Sequence, residues 1–336
     1  MTTQLGIGII GAGRVAVSHA RAAKSVSGVA LRAVAEIDAQ RLAGFLAEHG
    51  GEGVRGYGDY HELLRSPDID LVIVALPHWL HASCAIDAAE AGKHILVEKP
   101  MALSLEECDR MIEAARRNGV VLAVGLTHHF HPVPSFARQL LQSCRFGAIV
   151  WGSEVAYSPR RFGSNPLWFF DCAKGGGQLL ANGVHYIDRL MWTIGARPVA
   201  VSAIVGTYFN EYPADDGAVL FIRFDTGQVA TLHLTGHYHA FSYAAAEYMC
   251  TRGFVRYTGR EIWATDPENL DARELVAMPV PPGNGFVRQL EDVARAIREG
   301  GEPAVPGEWG RQVMAVLFAA EESARMGREV RLEGRL

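Results

Sequence analysis

The sequence lacks long apolar runs, paired cysteines and an excess of basic charge. No stretch of its 336 residues approaches the ~18 consecutive apolar residues of a membrane-spanning helix. The 32 basic residues are outnumbered by 37 acidic ones, whereas nucleic-acid binding favours a basic surface. The five cysteines are scattered without a CxxC pair, and the first residues lack the basic stretch of a signal peptide. We therefore expect a cytoplasmic protein with free thiols and with neither a membrane nor a nucleic-acid partner.

The chain length and a change in texture near residue 126 predict two domains. Over residues 1–126, short Val/Ile/Leu-rich runs alternate with helical patterns, as in a doubly wound Rossmann domain with a parallel sheet. Over residues 127–336 the apolar segments are longer and partly alternating, with few helices between them. The predicted fold class is α/β, with an N-terminal Rossmann domain and a C-terminal α+β domain that has an open, mainly antiparallel sheet.

Two overlapping glycine patterns near the N-terminus fit the letters of a dinucleotide-binding fingerprint. The first uses Gly6, Gly8 and Gly11, but it lies within an apolar run and is predicted to be strand. The second uses Gly11, Gly13 and Ala16, and it follows that run and opens a helix. Only the second pattern places glycine backbone where a pyrophosphate can approach a helix N-terminus. The alternative is a glycine-rich strand end without a ligand.

An acidic residue at the end of the second apolar run supports a dinucleotide site and indicates which cofactor it binds. Arg14 and Val15 open the helix after the glycines, and Glu36 ends the next apolar run. A carboxylate there accepts hydrogen bonds from the ribose hydroxyls and repels a 2′-phosphate, which favours NAD over NADP. NADP stays as the second possibility because Arg32 and Arg41 lie nearby in the sequence.

The segment Glu98-Lys99-Pro100 places an acid and a lysine directly after the apolar run Ile95–Val97. Ligands of open α/β sheets bind at the carboxyl ends of the strands, and a lysine held there can exchange a proton with a substrate. The alternative is an exposed Glu–Lys pair before a proline turn.

With further motifs, these segments resemble the Gfo/Idh/MocA oxidoreductases, a family that includes glucose–fructose oxidoreductase and inositol dehydrogenase. The matching motifs are Gly11-Ala-Gly13 with His19, Pro77–His81, Ala91–His94 before Glu98–Pro100, and Gly175–Gly177 with His185 and Asp188. The resemblance implies that Lys99 lines the active site beside the nicotinamide. It also implies that the cofactor site includes Leu76, Pro77, His78, His81 and Glu98, and that the second sheet mediates a homodimer or homotetramer.

The stretch GGGQLLANGVHYID, residues 175–188, looks at first like a second phosphate loop. No strand precedes it, and Leu179 starts an apolar pattern with helical spacing, so we predict a helix instead. The glycines would then let the backbone approach a cofactor or substrate closely. His185 and Asp188 are three residues apart and share a face of this helix.

The predicted helix departs from the family pattern at one position. Family members usually have an aspartate four residues before the histidine, and that aspartate acts with the lysine and the histidine on the substrate hydroxyl. Here the position is Ala181, which leaves Lys99 and His185 as the predicted catalytic pair. The adjacent Asn182 is a candidate substrate-binding residue, although an amide cannot act as a base.

Four further residues are candidate substrate-binding groups on the basis of their position. They are Tyr157, Arg160, Asp171 and His129. His233, His237 and His239 have the same parity on a predicted strand, which favours an interface or cleft position over a metal site. No metal is expected.

The sequence as a whole predicts an NAD(P)-dependent oxidoreductase with a sugar, a cyclic polyol or a related carbocycle as substrate. Hydride would pass between the substrate and the nicotinamide, while Lys99 or His185 moves the hydroxyl proton. Two alternatives stay open. The absence of an acid at Ala181 is compatible with an NAD-binding sensor, and the aromatic stretch Pro166–Phe170 would suit dihydrodiol-type rings.

Overall fold

The structure, a computed structural model, describes residues 4–159, 166–237, 241–266, 268–269, 271 and 274–336. The chain forms two compact units. The first comprises Met1–Thr127 with Asn284–Arg311, and the second comprises His128–Gly283 with Gln312–Leu336. The sequence-based division puts every residue after 126 in one domain, whereas in the structure Asn284–Arg311 packs with the first unit. Across the described segments, no helix is both long and apolar enough to cross a bilayer.

A parallel sheet forms the centre of the first unit. Its strands are β1 (Leu5–Ile10), β2 (Val29–Ala35), β3 (Arg55–Tyr57), β4 (Leu71–Val74), β5 (His94–Val97) and β6 (Leu122–Val124). Their order across the sheet is β3-β2-β1-β4-β5-β6, and the neighbours pair in parallel. This is the strand order of a Rossmann domain, as predicted. The order reverses between β1 and β4, and ligands of such sheets bind at that point, beyond the carboxyl ends of the strands.

The α-helices of the described residues are distributed over both units. In chain order they are α1 (Arg14–Ser25), α2 (Ala39–Phe45), α3 (Tyr60–Leu64), α4 (His81–Glu90), α5 (Leu105–Asn118), α6 (Pro132–Gln142), α7 (Val184–Ile194), α8 (Gly285–Glu299) and α9 (Gly307–Met326). Both ends of helix α5 are capped. Ser104 Oγ accepts a hydrogen bond from Glu107 N at 3.1 Å, and Gly119 adopts the left-handed conformation after the last turn.

Helix α8 explains why a C-terminal segment belongs to the first unit. Its apolar face shares one buried core with α1 and β1, in which Leu290 and Val293 lie with Ala16 and Ala20. The ring of Phe286 also meets the ring of His19 edge-on, with centroids 5.1 Å apart. Since α1 is itself amphipathic, α8 removes its outer apolar surface from water.

An extended mixed sheet forms the centre of the second unit. Its strands are β7 (Ile149–Tyr157), β8 (Pro198–Gly206), β9 (Gly217–Phe224), β10 (Val229–Thr235), β11 (Tyr243–Cys250), β12 (Gly253–Thr258), β13 (Ile262–Thr265), β14 (Leu275–Met278) and β15 (Val330–Arg331). The order is β14-β13-β12-β11-β7-β10-β9-β8-β15. The pairings are antiparallel except that β7 and β10 run parallel, so the sheet is mainly antiparallel, as predicted. The short strands β13, β14 and β15 were not predicted.

Alternation along β7 separates the two faces of this sheet. Gly152, Glu154 and Ala156 are on the face that α7 covers, and a Cβ on Gly152 would lie 3.2 Å from Leu190 of that helix. Residues of the other parity, from Trp151 to Tyr157, point to the opposite face, where Trp151 is 43% exposed. The sheet therefore has one covered face and one partly apolar open face.

A buried ion pair joins α7 to the covered face. Glu154 is fully buried and Arg189 is 6% exposed. Arg189 Nε donates to Glu154 Oε1 at 2.8 Å, and Arg189 Nη2 contacts Glu154 Oε2. Burial would lower the pKa of Arg189, but the Glu154 carboxylate outweighs it and raises that pKa further. The guanidinium also lies over the rings of Tyr186 and Tyr257.

We expect Arg189→Met to destabilise the second unit by about 3–5 kcal/mol, because it leaves the Glu154 carboxylate buried without a positive charge beside it. The double variant Glu154→Leu/Arg189→Met should recover most of that loss, since it removes both charges. Urea unfolding followed by tryptophan fluorescence measures the difference. Arg223→Met is the control, because Arg223 pairs with Glu329 on the surface and should change stability by no more than about 1 kcal/mol. Equal losses in the single and double variants would contradict the interpretation.

Candidate active site

The glycine turn after β1 shows which of the two overlapping patterns fits a ligand. Gly6 and Gly8 lie inside β1, where added side chains would collide with Asp68 and Leu63. Gly11 has φ +96° and turns the chain towards α1. A Cβ on Gly11 would lie 2.5 Å from the carbonyl oxygen of Ala75. The first two glycines thus serve packing, and Gly11 begins the turn, as the second pattern predicts.

The start of α1 leaves open space at its N-terminus. Gly13 is the N-cap residue, is exposed, and has no atom of the described residues within 4 Å of the position of an added Cβ. Arg14 and Val15 follow in the first helical turn, exposed and half-buried respectively. A helix N-terminus with a glycine and without a capping side chain of its own suits a pyrophosphate. Gly11, Gly13, Arg14 and Val15 are therefore brought together as predicted.

Glu36 lies beside this turn at the end of β2. Its carboxylate is 8% exposed, and Oε2 accepts a hydrogen bond from Ala12 N at 3.0 Å. Oε1 accepts from Asp38 N at 3.1 Å and from Arg41 Nη1 at 3.2 Å. The carboxylate can accept from ribose hydroxyls, while the half-exposed Arg41 offers a cation that a 2′-phosphate would favour. This geometry fits a nicotinamide dinucleotide and does not separate NAD from NADP.

Glu98 follows β5 and is held by a histidine of α1. Its Oε1 lies 2.7 Å from His19 Nε2, and Oε2 accepts from Lys99 N at 3.3 Å. Burial would raise the pKa of Glu98, but His19 and the charge of Lys99 outweigh it and lower that pKa. The carboxylate therefore stays negative next to Lys99, whose side chain is half-buried. An ammonium at this position can stabilise a developing alkoxide.

The segment Leu76–His81 is locked to the turn after Lys99. His81 is fully buried, with Nδ1 2.7 Å from the carbonyl oxygen of Pro100 and Nε2 2.9 Å from that of Leu76. Both ring nitrogens face backbone, so we assign His81 to holding the loop rather than to the direct cofactor contact that the sequence predicts. His78 is buried against the His81 ring, and Leu76 and Pro77 are half-buried.

In the second unit, the glycine triplet makes room for the chain itself. A Cβ on Gly176 would lie 2.6 Å from the carbonyl oxygen of Phe169, and one on Gly177 would collide with Asp215 Oδ1. Gly175 has φ +75° and ends the short turn Cys172–Lys174. The expectation that the triplet leaves space for a cofactor or substrate is therefore not supported. The aromatic loop and Asp215 occupy that space.

Asp215 also begins the helical segment. Its Oδ2 accepts a hydrogen bond from Leu179 N at 2.8 Å, and its backbone carbonyl accepts from Gln178 N at 2.9 Å. A π-helical turn, Leu179–Gly183, follows and continues into α7. The sequence predicts this helix but not its cap, because Asp215 is 36 residues further along the chain.

Ala181 and its neighbour Asn182 have different surroundings in the structure. Ala181 is fully buried, so a carboxylate at this position would be enclosed by protein. Asn182 is half-buried, and its Nδ2 donates to Gln178 Oε1 at 3.1 Å. Gln178 in turn donates to Ser158 Oγ at 2.7 Å. Asn182 is thus part of an amide network and does not take the place of the missing acid.

Two successive histidines dock on α7. The ring of His128 stacks on that of His185, with centroids 4.3 Å apart and planes inclined by 17°. His129 Nε2 lies 2.7 Å from Asp188 Oδ1, and its ring stacks on Trp192. The sequence singles out His129, His185 and Asp188, and the structure brings all three to one helix face. It also adds His128, whose only sequence signal is its place in the cluster His128–His131.

Two other predicted substrate residues, Tyr157 and Asp171, are not brought to this face. Tyr157 points to the open face of the sheet, towards Phe241 and Tyr243, because its parity on β7 is opposite to that of Glu154. Asp171 accepts from Ala173 N at 3.0 Å and so holds its own loop. Arg160 and His239 lie outside the described residues. His233 is exposed on the open face, and His237 contacts the ring of Phe209.

Comparison with known proteins decides the family. Residues 5–126 match the model of an oxidoreductase family with an NAD-binding Rossmann fold, and residues 135–256 match the C-terminal domain of the GFO/IDH/MocA proteins. The chain belongs to the Gfo/Idh/MocA oxidoreductase family. As a member of this family it is an NAD(P)-dependent oxidoreductase.

Individual relatives of this Gfo/Idh/MocA protein act on cyclic substrates. It is 26% identical to the myo-inositol 2-dehydrogenase of Thermotoga maritima over 97% of this chain and 98% of that protein. It is 32% identical to the 1-carboxy-3-chloro-3,4-dihydroxycyclohexa-1,5-diene dehydrogenase of Comamonas testosteroni over 69% of this chain and 58% of that protein. Levoglucosan dehydrogenase in complex with NADH and levoglucosan superimposes with a TM-score of 0.90, at 25% identity over 98% of this chain and 99% of that one.

The glycine turn of this Gfo/Idh/MocA chain allows folding and cofactor binding to be separated. Gly13→Ala should leave stability unchanged, because an added Cβ meets open space, yet weaken NADH binding by 1–3 kcal/mol, or roughly 5- to 150-fold, through crowding of the pyrophosphate. Gly11→Ala should instead lower the melting temperature, because of its positive φ and the Ala75 carbonyl. NADH fluorescence titration and thermal unfolding measure the two effects. Gly58→Ala, also in open space, is the control. Unchanged NADH affinity in Gly13→Ala would contradict this site.

The burial of His81 in the loop Leu76–His81 predicts that the stability of this Gfo/Idh/MocA protein depends on pH. Burial lowers the pKa of His81 below its ordinary 6.5, so the unfolded chain binds a proton there more readily than the folded one. The stability that neutral His81 contributes is complete above about pH 6.5. It is lost as the pH falls towards the lowered pKa that His81 has in the folded state. His81→Gln should therefore lose less stability than the wild type between about pH 7.5 and pH 5.5 in urea unfolding. Parallel pH curves for the two proteins would contradict this, and the exposed His233→Gln is the control.

Proposed function

We propose that this protein is an NAD-dependent dehydrogenase that acts on a hydroxyl or carbonyl group of a sugar, a cyclic polyol or a related carbocycle. The carrying observation is the hydrogen bond from Ala12 N to the Glu36 carboxylate, which joins the glycine turn to a ribose-binding group. NADP is the less favoured cofactor. The substrates named for myo-inositol 2-dehydrogenase and levoglucosan dehydrogenase support the substrate class.

Lys99 and His185 are the groups that we propose for the substrate proton. NAD bound at the glycine turn would supply the hydride acceptor for oxidation. The ammonium of Lys99, held next to the negative Glu98, stabilises oxygen charge at the substrate hydroxyl. His185 Nε2 or Nδ1 accepts the hydroxyl proton, a role that a carboxylate at position 181 would otherwise share. Asn182 offers only an amide, which orients without taking a proton.

A second candidate substrate class is a dihydroxylated, unsaturated ring. Trp168 and Phe169 stack with centroids 4.1 Å apart in the loop that the glycine triplet supports. Aromatic faces favour flat ring substrates over saturated sugars with axial hydroxyls. The Comamonas testosteroni relative, by its name, acts on such a ring. The third candidate, a sensor that binds NAD with weakened catalysis, rests on the absence of an acid at Ala181.

We further propose that the chain forms a homodimer or homotetramer in the cytoplasm. The open face of the second sheet exposes large apolar side chains, with Trp151 43%, Val219 44% and Ile204 65% exposed. Such a patch is typical of an interface between subunits. The five cysteines, Cys84, Cys108, Cys144, Cys172 and Cys250, form no disulfide, which fits a reducing compartment.

The proposed function predicts NAD-dependent turnover in a screen of inositols, aldoses, anhydrosugars and ring dihydrodiols, followed by NADH absorbance. On the best substrate, Lys99→Met and His185→Asn should each lower kcat by about 10²–10⁴-fold, because the first removes the stabilising ammonium and the second removes the proton acceptor. NADH binding, measured by fluorescence, should change little in His185→Asn. The exposed Lys24→Met is the matched control and should keep full turnover.

Different outcomes separate the three candidates. Turnover of dihydrodiols alone would select the ring substrates over sugars and polyols. Tight NADH binding without turnover of any compound at any pH would favour the sensor and contradict the dehydrogenase. Full turnover in Lys99→Met would show that Lys99 does not have the proposed role.

A further inference from the structure

The histidines at the start of the second unit form an ordered arrangement along α7. Positions 185, 188 and 192 are spaced by three and four residues, so they share one face of the helix. His128 covers the first of them, and His129 covers the other two. The adjacent residues His128 and His129 thus place their rings against all three of these positions.

His129 is fixed more tightly than its neighbour. It is 6% exposed, it is hydrogen-bonded to the fully buried Asp188, and its ring lies 4.1 Å from the ring of Trp192. Arg138 closes the other side of the stack, with its guanidinium 4.7 Å from the Trp192 ring and Nε donating to the Trp192 carbonyl at 2.9 Å. Because residue 129 is anchored, the backbone of His128 is held beside α7 and its ring is presented flat to His185.

We propose that His128 is a positioning residue for His185, which holds the plane of the His185 ring and whose own positive charge, when present, opposes protonation of that ring. Stacking of two aromatic rings in near-parallel planes restricts rotation of both side chains. Two imidazolium rings 4.3 Å apart repel each other, so protonation of one ring disfavours protonation of the other. The stacking thereby holds the His185 ring in one orientation for its proposed role. This inference rests on the proposed function of His185.

Among the described residues, further ionisable side chains lie on the same segment and helix. They are His129, His131, Tyr186, Asp188 and Arg189, and Glu154 pairs with Arg189. Burial, followed by the charge of Arg189, lowers the pKa of His131, so that ring adds no positive charge at neutral pH. Burial raises the pKa of Tyr186, which keeps its phenol neutral. Asp188 is engaged by His129, and Arg189 by Glu154.

Two variants separate the ring from the charge. His128→Phe keeps an aromatic ring for stacking but cannot take a proton, and His128→Ala removes both. Histidine ring NMR signals with carbon-13 labelling, recorded against pH, follow His185 directly, and the signal is assigned by its loss in His185→Asn. In the wild type His185 should titrate in two steps, because a proton on His128 repels a proton on His185. In His128→Phe it should titrate in one step.

Kinetics on the identified substrate test the positioning. His128→Ala should lower kcat by roughly ten- to hundredfold with little change in the KM for NAD, because a freed His185 ring loses its orientation. His128→Phe should recover most of kcat at high pH. His233→Gln, on the open face, is the control in both experiments. A purely structural role would change melting temperature and kcat without altering the titration steps.

The outcomes for the inference and for the proposed function differ. An identical single-step titration of His185 in the wild type and in His128→Phe would overturn the inference, whether or not a substrate is known. Unchanged kcat in His128→Ala, with His185→Asn inactive, would also overturn it while leaving the proposed function intact. Full activity in His185→Asn would instead refute the role that the proposed function gives to His185.

Discussion

The buried ion pair between Glu154 and Arg189 is the constraint on which the chemistry of the second unit depends. Neither charge can leave the other without facing a dry interior alone, so the pair permits one docking position of α7 on its sheet. Arg189 lies four residues after His185 and one after Asp188. Fixing its guanidinium therefore fixes the rotation of the helix and presents both side chains to the histidines at 128 and 129.

The two units place their polar groups by different means. In the first unit, the ends of parallel strands bring Gly11, Glu36 and Lys99 to one edge of the sheet, so the backbone sets most of their arrangement. In the second unit, single contacts between distant residues set the positions of the polar groups. Examples are the hydrogen bond that Asp215 accepts from Leu179 N and the hydrogen bond between His129 and Asp188. The first unit suits a constant cofactor, whereas the second can vary with few substitutions. This division matches relatives that are named for different substrates.

Local sequence signals predicted the first unit well. Continuous apolar runs gave the bounds of β1 and β2, and the capping residues gave those of α5, because these features act within one element. Partners distant in the chain were not accessible in this way. Nothing near Gly177 indicates that Asp215 occupies its space, and no local pattern pairs His128 with His185. Tyr157 points to the open face of the sheet because α7 covers the other face, which no local pattern indicates. The edge strand Arg55–Tyr57 is short and largely exposed, so it carried no apolar signal.

The return of Asn284–Arg311 to the first unit has a consequence for synthesis on the ribosome. Domains usually fold as they emerge, from the N-terminus onwards. Here the apolar face of α1 is covered by α8, which is translated only after the whole of β7–β14. The nascent Rossmann unit therefore exposes that face while the second sheet is being made. The first unit is complete only once Arg311 has been translated, and the second only once Leu336 has.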